Sequence, residues 1–343
     1  MKKKRNKKIQ KVSPLGDLLK RYKGEKPPKS FWGGISPKMV GFVFGLAKSG
    51  KTIICENLAL SITSGRDKFL GIPIEIPNSK VLFISMEENV GIRIIQRGNK
   101  QIKGYSSEEK ENIKKNLYYS DEEFIRSVEN TQDWVLIEDE IKKYRPNVVF
   151  IDSTNRFNID IESRDETNKM MQKIRKFADK FECAIILIHH TNKAQKNKSI
   201  SEAQMSGSSA LARDADFFIG INSLTNGTRY LKFITNRYSQ TREMCIVFSI
   251  QKNYLIDFET EEHESVLIKS LDGRYDVNNT EKIVKFIKEN IDRKNMIETK
   301  TLYSHFVVEN GLISKKTLYN QLKKLIEMNQ LKKAGHGKYK LLT

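Results

Sequence analysis

The sequence predicts an α/β fold with a largely parallel central sheet, followed by a small C-terminal domain of short helices closed by a hairpin. Three observations predict it. Apolar runs at 39–44, 80–87, 146–152 and 184–188 each lead into a glycine, a carboxylate or a histidine, as buried parallel strands do when their carboxyl ends face a ligand. Stretches with helical spacing lie between these runs, the alternation that builds a parallel sheet. Beyond residue 280 the pattern changes to three short helices and two short strands.

The first of these strands carries the most specific motif. Residues 39–44 read as a buried strand that stops at Gly45, and Gly45-Leu46-Ala47-Lys48-Ser49-Gly50-Lys51-Thr52 fits G-x-x-x-x-G-K-[ST] at every position. The helix expected at 53–63 begins at Ile53 and carries Ile54, Leu58 and Ile62 on one face. Glycines let such a loop curl until its N–H groups face phosphate oxygens, and the helix behind it adds its positive end. The expected nucleotide-binding residues are Gly45, Ala47, Lys48, Ser49, Gly50, Lys51, Thr52 and Ile53. Lys51 is placed to reach the β- and γ-phosphates, and the Thr52 hydroxyl to bind Mg²⁺. ATP and Mg²⁺ are the expected cofactors.

The strand at 80–87 runs into Glu87, Glu88 and Asn89, and either glutamate is a candidate to orient an attacking water. Arg93 and Arg97 follow at helical spacing. Residues 106–144 read as polar and helix-rich, with a helix at 133–144. The strand at 146–152, PNVVFID, ends in Asp152, the second expected Mg²⁺ partner. After a helix at 166–181, the strand at 184–188 ends in His189 and His190, at the position of a γ-phosphate sensor. No cysteine or further histidine lies at zinc-ligand spacing. Two irregular segments leave this same edge. The first, 153–165, holds Arg156 and Arg164; the other, around 194–209, follows Lys193 and holds Lys196 and Lys198. These five cations are candidates to grip DNA. Strands are then expected at 216–223, 229–235 and 243–255, the first two joined by the hairpin signal Asn226-Gly227. Arg237, at the end of the middle one, is a candidate arginine finger for a neighbouring subunit.

The chain has 343 residues, enough for about two domains, and 61 Lys and Arg against 42 Asp and Glu give a net charge of +19. Such an excess, concentrated at both ends, points to a polyanionic partner, nucleic acid first. Residues 1–30 read as a basic, flexible leader with a short helix near 15–22; Phe31 and Trp32 read as core. The acidic stretch 257–279 reads as a linker. In 280–343, helix–helix–helix–hairpin with a basic third helix is a winged-helix pattern, which makes Lys315, Lys316, Lys323 and Lys324 candidate DNA contacts. Three scattered cysteines suit a reducing compartment, so the expected location is cytoplasmic. No apolar run approaches the roughly 20 residues of a membrane span.

Taken together, GLAKSGKT, ISMEEN, FIDS, LIHHTNKA, SGSSALARDAD and FITNRY occur in an order that resembles the RecA-superfamily ATPases related to the RepA-type plasmid replicative helicases. The resemblance covers roughly 31–256 and implies a RecA-like core that forms rings, usually hexamers, with ATP held between subunits. It implies Lys51 and Thr52 at phosphate and Mg²⁺, Glu87 as catalytic base and Asp152 as the Walker B carboxylate. His190 would be the γ-phosphate sensor and Arg237 an inter-subunit finger. The C-terminal domain and the basic leader lie outside that core. The implied function is a ring-forming helicase or translocase for a plasmid or mobile element; the other reading is a nucleotide-switched DNA-binding adaptor.

Overall fold

The computed structural model describes residues 12–157, 163–191, 197–205, 209–269, 277–292, 295–309, 315–328, 330–335 and 337–342. In chain order the first half contains α1 (Leu15–Arg21), β1 (Val40–Gly45), α2 (Lys51–Ser64), a small hairpin of β2 (Lys68–Phe69) and β3 (Ile72–Pro73), β4 (Val81–Ser85), α3 (Val90–Arg93), α4 (Asn99–Gln101), α5 (Ser107–Asn116), β5 (Leu117–Tyr119) and α6 (Thr131–Tyr144). There follow β6 (Val148–Asp152), α7 (Arg164–Phe181), β7 (Ala184–His190), α8 (Ser209–Asp214), β8 (Phe217–Ser223), β9 (Arg229–Asn236), β10 (Cys245–Ile250), β11 (Ile256–Glu262) and α9 (Glu264–Lys269).

Nine strands form one sheet in the order β11-β10-β9-β8-β1-β7-β6-β4-β5. The six from β8 to β5 are parallel. The remaining three continue the sheet as an antiparallel meander. This is the mixed α/β, RecA-like core expected from the sequence. Alternation along β1 divides the interior in two. Phe42 and Phe44 face a core completed by Ile137 and Ile141 of α6 and by Met170, Ile174 and Phe177 of α7. Val43 faces the other core with Ile54, Leu58 and Ile62 of α2. Helices thus cover both faces, which is why the parallel strands are apolar at nearly every position. Phe31 and Trp32 belong to the second core, with Trp32 Nε1 donating to the Phe69 carbonyl at 2.9 Å.

Three expectations change. The strand expected at 243–255 is two strands, β10 and β11, folded back at Gln251–Leu255, where Tyr254 takes a left-handed backbone. The linker expected at 257–279 therefore begins as an edge strand, and α9 behind it buries Leu267 in the core. Its acidic residues are those of a strand open to water, where charge discourages edge pairing. Inside the polar segment 106–144 lies the short strand β5, which the sequence pattern did not separate from the helices.

Beyond residue 276 the chain forms α10 (Val277–Asn290), β12 (Met296–Glu298), α11 (Thr299–Tyr303, its helical path continuing to Glu309), α12 (Lys315–Glu327), β13 (Leu331–Lys333) and β14 (Lys338–Leu341). β14 pairs on both sides, with β12 and β13. Ile283, Ile287, Leu302, Phe306, Leu318, Leu322 and Leu325 make a third core of their own. The strand β12 was not anticipated from the sequence. Among the described residues, no helix is long and apolar enough to cross a membrane.

Candidate nucleotide site

The strand register brings the motifs to one edge. Gly45 at the end of β1 is level with His190 of β7; Asp152 of β6 is level with Ile188 of β7 and with Ser85 of β4. Ligands of open α/β sheets bind at this carboxyl edge. The loop between β1 and α2 is shaped by its glycines. A Cβ on Gly45 would collide with the Ile221 carbonyl of β8, and Gly50 holds φ at 105°. Gly50 is also the residue that caps α2, and no side chain satisfies the first N–H groups of that helix. Helix N-terminal amides left open in this way are a ready anion site.

Lys51 is buried, and its Nζ donates to the carbonyls of Gly45 and Leu46 at 3.0 and 2.7 Å. Burial lowers its pKa to about 8, against the pull of Asp152 and Glu87. The Thr52 hydroxyl donates to Asp152 Oδ2 at 2.8 Å. Burial pushes Asp152 up to about 6, with the Thr52 hydrogen bond acting in the opposite direction. Its other oxygen, Oδ1, is buried without a hydrogen-bond partner among the described residues, and so is Ser49 Oγ. A buried carboxylate oxygen left open beside a threonine hydroxyl fits a hard divalent cation, and the open loop amides fit phosphates. The residues present therefore suit Mg²⁺ and a nucleoside triphosphate.

The adjacent glutamates separate by environment. Glu87 Oε2 lies 3.1 Å from His190 Nε2, and the Ser153 hydroxyl donates to Oε1. These bonds, His190 first, hold the Glu87 carboxyl down to about 2 even though burial opposes them. One ligand atom each from Glu87, Asp152 and His190 falls within 4.8 Å of the others. Glu88 turns away and pairs with Arg97, which also donates to Glu56 of α2 at 3.0 Å. Glu56 in turn pairs with Arg93, whose guanidinium lies 4.4 Å from the Phe83 ring centroid. His189 is a core residue: its Nδ1 lies 2.7 Å from Thr154 Oγ1, and its ring meets Phe42 edge-on.

Ser153, Glu56 and Arg229 were missed. Ser153 follows Asp152 directly and Glu56 sits one helical turn beyond Thr52, so spacing offered a signal for both. Arg229, the first residue of β9, reaches the P-loop only through the β8–β9 hairpin; its Cδ lies 3.9 Å from where a Gly50 Cβ would stand. No local motif marks it. The exposed residues Ala47 and Lys48 complete the loop, Lys48 with φ at 63°, and Ile53 follows Thr52 in the first turn of α2. Arg156 and Arg164 are exposed, and Arg156 is close enough to help lower the Glu87 carboxyl. Lys198 is exposed, while Lys193 and Lys196 lie outside the described residues.

Arg237 is not in this cluster. Its backbone N–H donates to the Asp216 carbonyl, its Nη2 donates to the Arg213 carbonyl, and its Nη1 lies 3.6 Å from Asp216 Oδ1. Asp216 Oδ2 accepts from the Val40 N–H, which marks the amino end of β1. The arginine thus stands at the opposite edge of the sheet from its own P-loop. Five residues of strand separate the two edges, about 17 Å at ~3.3 Å per residue.

No curated protein matches this chain at a significant level. Among solved structures, the ATPase domain of a helicase superposes with a TM-score of 0.50 at 12% identity, covering 72% of this chain and 97% of that one. At that identity the likeness concerns the fold. A family model described as an AAA domain matches residues 11–196, more than half of the chain and inclusive of every element of the nucleotide edge. The chain belongs to this AAA-domain family of P-loop ATPases.

Proposed function

We propose that this protein hydrolyses ATP and uses the cycle to move along or unwind DNA, as a ring-forming, hexameric helicase or translocase of a plasmid or mobile element. The observation that carries the proposal is the meeting of Lys51, Thr52, Asp152, Glu87 and His190 at one sheet edge, each from a strand end or helix start.

In this reading Lys51 leaves the loop carbonyls for the β- and γ-phosphates, and the P-loop amides cradle the remaining oxygens. Thr52 and Asp152 hold Mg²⁺, which when bound neutralises charge on the phosphates. Glu87 stays ionised at neutral pH and accepts a hydrogen bond from the attacking water. Its low proton affinity suits orientation of that water, since a loose phosphoryl transition state asks little of a base. His190, joined to Glu87, reports whether the γ-phosphate is present. Arg237, at the far edge, serves the site of the next subunit.

DNA would contact Arg156, Arg164, Lys193, Lys196 and Lys198 in the ring channel. The C-terminal unit adds a second contact. Its order helix–strand–helix–helix–strand–strand supports a winged helix, and residues 277–343 hold 14 Lys and Arg against six Asp and Glu. Lys315 and Lys323 are exposed on α12, Lys324 is half-buried, and Lys316 falls on the same helix. That basic unit also favours the second reading, an adaptor in which ATP controls assembly on duplex DNA.

ATP turnover with no DNA, duplex DNA and single-stranded DNA decides between them, with Lys51→Ala as the blank. Strong stimulation by single strands is expected. Turnover indifferent to single strands, together with tight binding of one duplex, would support the adaptor.

A further inference from the structure

A cleft of 380 Å³ opens in the C-terminal unit where the start of α11, the start of α12 and the start of β14 converge. That volume is at the small end of ligand-binding clefts, which run from about 300 to 1,000 Å³. Two tyrosines stand in it, Tyr303 half-buried against the third core and Tyr319 with 44% of its surface exposed. Three lysines surround them: Lys300, Lys315 and Lys338. Lys315 Nζ lies 5.6 Å from the Tyr303 ring centroid, and Lys338 pairs with Glu298, the cleft's acid, at 3.2 Å. The walls are held together: the Thr299 backbone N–H and its hydroxyl both donate to the Gly337 carbonyl, at 2.8 and 2.9 Å.

We propose that this cleft takes one unpaired nucleotide of a nucleic-acid strand, its base stacked on Tyr319 and its phosphates held by Lys315, Lys300 and Lys338. Aromatic faces combined with lysines are the chemistry of single-strand binding, because a base inside a duplex offers no free face to a ring. An exposed tyrosine beside three cations is costly to keep for packing alone. The position explains how the unit would read more than duplex charge: it would recognise the junction where a strand leaves its partner. This rests on the reading of the C-terminal unit as nucleic-acid-binding and is independent of ATP turnover.

The test uses the full chain carrying Lys51→Ala, without nucleotide, and two labelled hairpin DNAs that differ only by a short single-stranded overhang. Tyr319→Ala should weaken overhang binding about tenfold and leave the blunt hairpin unchanged, whereas Lys315→Ala with Lys338→Ala should weaken both. A photoreactive base in the overhang should cross-link the unsubstituted chain at Tyr303 or Tyr319. Equal loss on both DNAs after Tyr319→Ala, cross-links confined to residues 31–269, or displacement of the overhang by polyglutamate as readily as by a second overhang DNA would each overturn the proposal. The cross-link needs no variant, so a misfolded Tyr319→Ala does not blunt the test. Failure here would leave single-strand-stimulated turnover in the core untouched.

Discussion

Lys51 enters its site with a charge that the surroundings disfavour. Its ammonium is buried under the P-loop with two carbonyls for partners, and its pKa falls from the ordinary 10.5 to about 8. Below pH 8 the folded chain holds a desolvated cation; between about 8 and 10.5 the folded chain has released a proton that the unfolded chain still binds. Stability from this group therefore rises with pH across that window. Lys51→Met, which carries no charge to bury, should gain most on the wild type near pH 7, and its advantage should shrink by up to about 3 kcal/mol on going to pH 10. Thermal melts of both proteins at a series of pH values measure it; a constant difference would mean that Lys51 is not strained by burial. The same discomfort is functional. A lysine poorly served by its own loop is drawn to incoming phosphates, so part of the nucleotide's binding energy is stored in the empty site.

At the scale of elements, the piece that fixes the site is the pairing of α2 with the segment after β4. Glu56 of α2 is buried and binds Arg93 and Arg97, and Arg97 holds Glu88. The P-loop helix and the carboxylate-bearing strand end are thereby tied, and Glu88 is kept from the place that Glu87 takes. Removing Glu56 leaves Arg93 buried and unpaired. Glu56→Ala should cost roughly 3–5 kcal/mol, and Glu56→Ala with Arg93→Met should recover much of it; urea unfolding of the three proteins tests this. Strong apolar runs and the P-loop pattern made β1, β4, β6, β7 and α2 readable from the sequence, and strand ends gave Asp152, Glu87 and His190. Spacing also put Arg93 and Arg97 on one face, without saying that they meet Glu56. What escaped was short or long-range. β5 has three residues and β12 three, too few for a period to show. β11 looked like a linker because an edge strand carries solvated acids. Arg229 approaches Gly50 only after the sheet has closed.

At the scale of the whole molecule, the decisive fact is the distance between Arg237 and its own P-loop. The strand β1 lies between them, so an arginine that completes this ATP site must come from another copy. Such a contact is heterologous, with one edge of a subunit meeting the opposite edge of the next, and repeats of it close into a ring or extend as a filament. A cleft of 1110 Å³ beside Arg237, lined by Arg175, Asp216, Lys38 and the chain from Pro27 to Ser30, leaves that edge concave and charged. The Asp216–Arg237 contact, at 3.6 Å and with the arginine half exposed, is loose enough for the arginine to leave. Lys51→Ala and Arg237→Ala should each abolish turnover alone, the second by about 10³-fold or more. Mixed together they should regain activity, since an intact P-loop from one variant meets an intact arginine from the other. Random pairing in equal mixture puts both intact halves at one interface in four, so recovery should approach about a quarter of wild type. ATP turnover measured across the mixing ratio should rise and fall with a maximum at equality; a flat, inactive series would mean that Arg237 only braces Asp216 and that each site works alone.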